Sequence, residues 1–229
     1  MARTGAPQAA AETLSAVSYL ADLEASTMQA IVQAAVRRTY EADQVVFLEG
    51  DPCDGLYVVE DGWLKAVKTS PEGREQVLRF VGPGEVVNEI GVFARAHNPA
   101  TAVTLAPTTI WMIDRDVILR LLEDYPRLAQ HVVQSMAHRV LHLVSLVEDL
   151  SLRTVEARLA RLLLERADEQ TLHRQRWATQ AELAARLGTV LDVLNRALHQ
   201  LAREGLIEVQ RHQIQILDRD GLRSKAMID

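Results

Sequence analysis

The chain has a single cysteine, Cys53. That excludes an intramolecular disulfide framework and an iron–sulfur cluster held by the cysteines of one chain. A reducing compartment suits such a sequence, and Cys53 in EGDPCDG reads as a solvated loop thiol. No apolar run approaches the roughly 20 residues of a membrane helix. The polar start MARTGAPQAAAET also lacks a signal-peptide core. The expected location is therefore cytoplasmic, with no membrane partner. Histidine is scarce where a metal-dependent jelly roll would need two or three, because His97 stands alone between residues 40 and 114. A nucleophile elbow, a phosphate-cradling glycine loop with lysine and a reactive Cys–His neighbourhood are all missing. These absences argue against an enzyme and predict no metal site.

An excess of positive charge is also lacking. The formal net charge is −6 over 229 residues, which looks wrong for a protein that binds nucleic acid. The balance is uneven, however. From Leu152 onward there are 13 Lys+Arg and 11 Asp+Glu, whereas residues 1–151 hold 12 and 20. The acidity sits in the first two thirds, so the C-terminal part can still approach phosphates. A domain that is only mildly basic implies modest affinity as a monomer.

What the chain does have is organised in blocks. Residues 1–12 show no periodicity and read as a mobile tail. Apolar positions from Leu14 to about Arg38 suggest short helices. A long block from about 40 to 114 carries short runs such as VVFLEGD, GLYVVEDGWLKAVKT and TTIWMID, punctuated by turn dipeptides. Many short strands of this kind predict a jelly roll. After Asp116 the period changes: Val133, Met136, Val140, Leu143, Val147 and Leu150 follow at steps of 3, 4, 3, 4 and 3. That spacing is a two-stranded coiled-coil seam about two and a half heptads long, and it predicts a homodimer. The expected fold is α+β, an N-terminal double-stranded β-helix with helices over 13–115, a dimerisation helix region over 116–151 and a winged helix-turn-helix domain over 152–229.

The most informative stretch is TQAELAARLGTVLDVLNRALHQLAREGL, Thr179 to Leu206. Thr179 and Glu182 form a capping box, and Leu183, Ala184 and Leu187 make an apolar stripe that stops at Gly188. Thr189 is expected to restart a helix, with Val193, Leu194, Ala197, Leu198 and Leu201 on its inner face. Val190, Leu191, Asp192, Asn195 and Arg196 then occupy the outer face near the helix start, where a helix-turn-helix protein reads the major groove. Read in isolation, Asp192 and Arg196 are equally an exposed i,i+4 pair. LIEVQRHQIQIL supplies two short strands around a turn at Gln210–Gln213, the pattern of a wing.

This order of β-roll, long helix and winged helix-turn-helix resembles the Crp/Fnr superfamily of bacterial transcription regulators. The pieces that carry the likeness are EGDPCDGLYVVEDGWLKAV, PEGREQVLRFVGPGEVVNEIGVF and the helix-turn-helix stretch. The resemblance implies a dimer on a palindromic double-stranded DNA site, with RNA polymerase as a further partner. It places base contacts at Asp192, Asn195 and Arg196, where arginine can pair with guanine and a carboxylate can accept from cytosine. Leu191 is apolar, as in Fnr-like members. Thr179, Thr189 and Arg211 on the wing would hold phosphates.

The resemblance also implies an effector site, and here the chain departs from relatives that bind cyclic AMP. Their Gly-Glu-Leu-Gly segment corresponds to Asn88, Glu89, Ile90 and Gly91. Ala100 stands where their phosphate-binding arginine belongs, beside Thr101 and Ala102. Leu143 and Val144 replace the Thr-Ser pair that bonds adenine. The expectation is an apolar site that does not take cyclic AMP in the usual mode. A heme or gas sensor, a sensor of an uncharged organic ligand and a roll without an effector all stay open. Heme would need an axial ligand, and His97, His131, His138 and His142 are the histidines in range. A regulatory subunit acting on a protein partner is the other class of reading, and the helix-turn-helix opposes it.

Overall fold

The computed structural model describes residues 5–21, 23–167, 171–173, 179–210 and 213–226. Two compact units emerge: Met1–Lys68 with Leu78–Val140, and Thr69–Val77 with Leu141–Asp229.

Helices α1 (Gly5–Ser15) and α2 (Ala25–Ala34) come first. Strands β1 (Ala35–Tyr40), β2 (Val45–Phe47), β3 (Gly55–Asp61), β4 (Leu64–Thr69), β5 (Glu75–Val81) and β6 (Val86–Val87) follow. Then come α3 (Glu89–Phe93), β7 (Thr101–Thr104), β8 (Thr108–Asp114), α4 (Arg115–Asp124) and α5 (Pro126–Leu152). The strands make two four-stranded sheets, in the orders β1-β8-β3-β6 and β2-β7-β4-β5.

Strand β3 shows why the roll closes. Five consecutive residues, Gly55 to Val59, are buried, so both faces of the strand are covered. Successive side chains alternate between faces. Leu56 and Val58 pack with Trp111, Ile113 and the helix residues Leu14, Ile31, Ile118 and Leu128. Tyr57 and Val59 pack instead with Leu64, Val81, Ala102, Ile110 and Met112. Each fully buried Leu or Ile contributes about 1.5–3 kcal/mol relative to exposure.

Four local expectations change in this unit. The presumed tail is largely helical, because α1 buries Ala10 and Leu14 completely in the first core. The helical stretch ends before Arg37 and Arg38, which belong to β1 and pair with Trp111 and Ile110 of β8. The region 116–151 is two helices rather than one. Asp114 caps α4 by accepting from the amides of Asp116 and Val117. A fresh helix opens at Pro126, whose fixed φ suits a first turn and whose missing N–H cannot continue the preceding one. Cys53 is buried, not solvated, and its sulfur accepts a hydrogen bond from Asn88 Nδ2 at 3.2 Å. Burial pushes this thiol up from its ordinary range.

The second unit contains α6 (Val155–Arg166), β9 (Thr171–His173), α7 (Gln180–Arg186), α8 (Leu191–Arg203), β10 (Ile207–Val209), β11 (Gln213–Ile216) and α9 (Arg219–Ala226). Leu159, Leu163, Leu194, Leu201, Ile214 and Leu222 are fully buried at its centre. Strand β9 occupies what reads as a polar loop, and it pairs with β11 to complete a three-stranded wing in the order β10-β11-β9. Its polar composition hides it, since a strand at a sheet edge need bury little. The end of α5 is tied to α6: Arg161 donates to Asp149 and to Ser145, each at 3.0 Å. Among the described residues no helix is long and apolar enough to cross a membrane.

Candidate nucleic-acid interface and effector site

The turn between α7 and α8 is built by backbone chemistry that only glycine makes easy. Thr179 caps α7, its hydroxyl accepting from the Glu182 amide at 3.2 Å. At the other end Gly188 adopts φ +65°. The Thr189 amide donates to Ala184 O at 2.9 Å and the Gly188 amide to Ala185 O at 3.3 Å. These two bonds are a Schellman termination. Thr189 thus belongs to the closing turn of α7 and lies one residue too early to cap the second helix. Val190 occupies that cap position without a side-chain bond, and α8 begins at Leu191.

The inner face of α8 buries Leu194, Ala197, Leu198 and Leu201. Leu191, Asp192 and Arg196 are exposed and Asn195 is half-buried, all within the first two turns, with exposed Val190 just before them. Among the described residues no hydrogen bond or ion pair engages Asp192 or Arg196, so the simple i,i+4 pair is not formed. The expected base-reading residues are thus on one face and uncommitted. Thr179 is exposed at the start of α7, and Arg211 lies outside the described residues. His199 was not singled out from the sequence, yet it is exposed on the same face one turn beyond Arg196. The 3.6-residue period alone would have found it.

Along α5 the apolar positions divide into two groups. Leu128 and Val132 are buried and Met136 packs against the first core. Met136 therefore belongs to the face covering the roll, not to a seam. The most exposed apolar line is Val133, Val140, Val144 and Val147, at 67, 58, 59 and 63%. Ala137 is exposed on the same line. Leu143 and Leu150 are less exposed, at 37% each. The stripe is thus rotated from the expected seam, with Ala137 and Val144 replacing Met136 and Leu143. The 3,4 spacing is satisfied by either line, and only packing separates them.

The expected effector residues of the first unit differ in burial, and a buried charge stands among them. Glu89 and Gly91 are buried on α3, Ile90 is largely exposed, Ala100 is buried and Thr101 is half-buried. Ala102 is buried in the core between the sheets. Leu143 and Val144 belong to the second unit. Glu89 is 2% exposed and is held by the guanidinium of Arg139 from α5. Arg79 of β5 stands 3.9 Å from the same carboxylate oxygen, and the buried Tyr19 phenol is another neighbour. Burial pushes the Glu89 carboxyl up from its ordinary range in spite of both arginines. An arginine on the buried stripe of Leu128, Val132 and Met136 is the signal that sequence reading missed, because a cation there demands a buried partner.

The neighbouring cations are already committed. Arg79 donates to Glu85 at 2.8 Å and to Val86 O at 3.0 Å. Lys68 reaches Pro99 O at 3.2 Å but is held by Glu49. Asn88, at φ +76°, donates to Asn98 Oδ1 at 2.8 Å and to Gly55 O at 3.2 Å, which pins the loop before Ala100. Ala100 is buried and offers no cation at the position where the resemblance expects a phosphate-binding arginine. His97, His138 and His142 are exposed and His131 is half-buried. No group of three or more metal-binding side chains is present among the described residues.

Comparison with known proteins matches each of these two regions to a known domain family. Residues 37–125 match the cyclic nucleotide-binding domain model, and residues 157–225 match the Crp-like helix-turn-helix domain model. The transcriptional regulator SdrP of Thermus thermophilus is 31% identical over 204 residues, covering 83% of this chain and 95% of that one. The cyclic AMP receptor protein of the same organism is 30% identical over 173 residues, covering 76% and 80%. The solved structure of FixK2 from Bradyrhizobium japonicum matches with a TM-score of 0.72 at 22% identity, covering 83% of this chain and 96% of that one. At that identity the likeness is one of fold. With the matched domains in this order and relatives spanning most of its length, the chain belongs to the Crp/Fnr family of DNA-binding transcription regulators.

Proposed function

We propose that the protein acts as a homodimer that reads a palindromic DNA site with α8 of each protomer and does not respond to cyclic AMP. The observation that carries the reading is the uncommitted face of α8. Asp192 and Arg196 are exposed above a fully buried apolar stripe and have no internal partner among the described residues. A guanidinium free in this way can make a bidentate pair with guanine without first breaking a bond. Thr179, Thr189 and Arg211 are assigned to phosphates, RNA polymerase is the further partner, and no catalytic role is assigned to any residue. The domain division proposed is a β-roll with its N-terminal helices from Gly5 to residue 115, a dimerisation region over 116–151 and a winged helix-turn-helix over 152–229.

Dimerisation is supported by the exposed line Val133, Ala137, Val140, Val144 and Val147, which repeats at coiled-coil spacing. Pairing there would set two α8 helices toward half-sites about 34 Å apart.

Arg196→Ala should reduce the preference for a cognate over a scrambled duplex by about 1–3 kcal/mol. The cognate duplex is one selected by the wild-type protein from random sequence. Equal weakening on both duplexes in a gel-shift titration would reject the base-reading role.

Independence from cyclic AMP is supported by Ala100 and by the engagement of Glu89 with Arg139. Titrating cyclic AMP into the protein in a calorimeter should give no saturable heat at micromolar to millimolar ligand. A saturable isotherm would overturn this part of the reading while leaving DNA recognition intact.

A further inference from the structure

We infer that His199 is a phosphate-contacting residue of the DNA-reading helix whose protonation tunes affinity for DNA. The inference rests on the proposed role of α8. His199 is exposed and, among the described residues, no hydrogen bond or ion pair engages it. At about 100° per residue it lies within about 20° of Asp192 around the helix axis, so it shares the reading face.

Its position along the axis separates its role from that of Arg196. At about 1.5 Å per residue, His199 stands roughly 12 Å beyond Leu191, the first residue of α8. The major groove is about 12 Å wide. A helix entering by its N-terminus therefore carries Asp192, Asn195 and Arg196 over base edges and brings His199 to the groove wall, where the phosphates stand.

The charged surroundings suit an anion at that point. On α8 itself the charged groups along this side are Asp192, Arg196 and Arg203. Arg203 is exposed and donates to Gln200, and Glu204 at the helix end is paired with Lys225 of α9 at 2.9 Å. Among the described residues no hydrogen bond or ion pair joins His199 to α6, α7 or the wing strands. The second half of the face thus offers arginine and histidine with no free carboxylate opposite.

Histidine is the side chain whose ordinary titration falls between pH 5 and 8. Protonated, it adds one cation against a phosphate; neutral, it adds none. Each neutralised phosphate contributes about −0.9 to the slope of log K against log salt on B-DNA. A dimer in which both histidines became charged would steepen by up to about 1.8, so the slope at pH 6 should exceed that at pH 8.

The experiment measures that slope by fluorescence anisotropy, using full-length protein, a duplex selected by the wild-type protein from random sequence and a scrambled duplex. Wild type, His199→Gln, His199→Lys and Arg196→Ala are compared at pH 6 and pH 8. The proposal expects His199→Gln to lose the extra steepness at pH 6, and His199→Lys to keep the steep slope at both values. It is overturned if His199→Gln retains the full wild-type pH response, or if His199→Lys leaves the pH 8 slope at the wild-type value. Arg196→Ala separates the two layers. If it loses discrimination while His199→Gln changes nothing, the histidine role alone fails; if neither variant alters binding, the assignment of α8 fails.

Discussion

Replacing Arg139 with alanine will destabilise the β-roll by about 3–5 kcal/mol, the usual cost of leaving one partner of a buried ion pair alone. Glu89 is 2% exposed, and Arg139 is its nearest cation. Arg79, at 3.9 Å and already bonded to Glu85, cannot take over fully. The thermal midpoint of the roll should fall by roughly 6–20 °C, read by differential scanning calorimetry. Adding Glu89→Gln to Arg139→Ala should recover much of the loss, because no charge then remains buried. If the double variant is as unstable as the single one, the loss came from packing and not from charge.

The same pair predicts a pH dependence with a defined sign. Burial raises the folded-state pKa of Glu89 above its unfolded value. The stability contributed by this group is therefore fully present below the unfolded pKa and declines as pH rises through the folded one. Without Arg139 the folded value climbs further. The deficit of Arg139→Ala should grow from pH 5 to pH 8, and a deficit that shrinks over this range would contradict the burial of an uncompensated carboxylate.

Val140→Asp should convert the protein to a monomer and lower its affinity for a palindromic duplex by about 10²–10⁴, the usual gain from bivalent engagement. Val140 is 58% exposed, so the charge costs the monomer fold little while placing two carboxylates face to face in a dimer. Sedimentation velocity and gel shift report the two effects separately. The rotated stripe adds a contrast: Val144→Asp should behave like Val140→Asp, whereas Met136→Ala should lower thermal stability without dissociating the dimer. A dimer that survives both aspartates would reject pairing through this line.

Much of the architecture is legible in the chain because each element satisfies a local rule. The unbroken apolar run LYVV marks a strand covered on both faces, and Gly188 marks the turn between α7 and α8. The order of blocks then leads to the family. Local rules fail where two solutions share one pattern. Thr189 has the chemistry of a cap, but its amide completes the Schellman turn and α8 starts only at Leu191, so Val190 takes the cap position. TLH reads as loop until β11 supplies a partner for it. The presumed tail gains its helix from a core that no window of twelve residues contains.

By itself the sequence determines the fold class and the placement of Leu191, Asp192, Asn195 and Arg196 on the outer face near the start of α8. These follow from periodicity, turn chemistry and residue identity, which act over a few neighbours. Tertiary structure alone decided that Glu89 is engaged by Arg139, 50 residues away, and that Met136 faces the roll while Val144 faces solvent. The physical reason is common to both. A heptad spacing fixes which residues share a face, but burial and charge pairing depend on what the rest of the chain brings against that face.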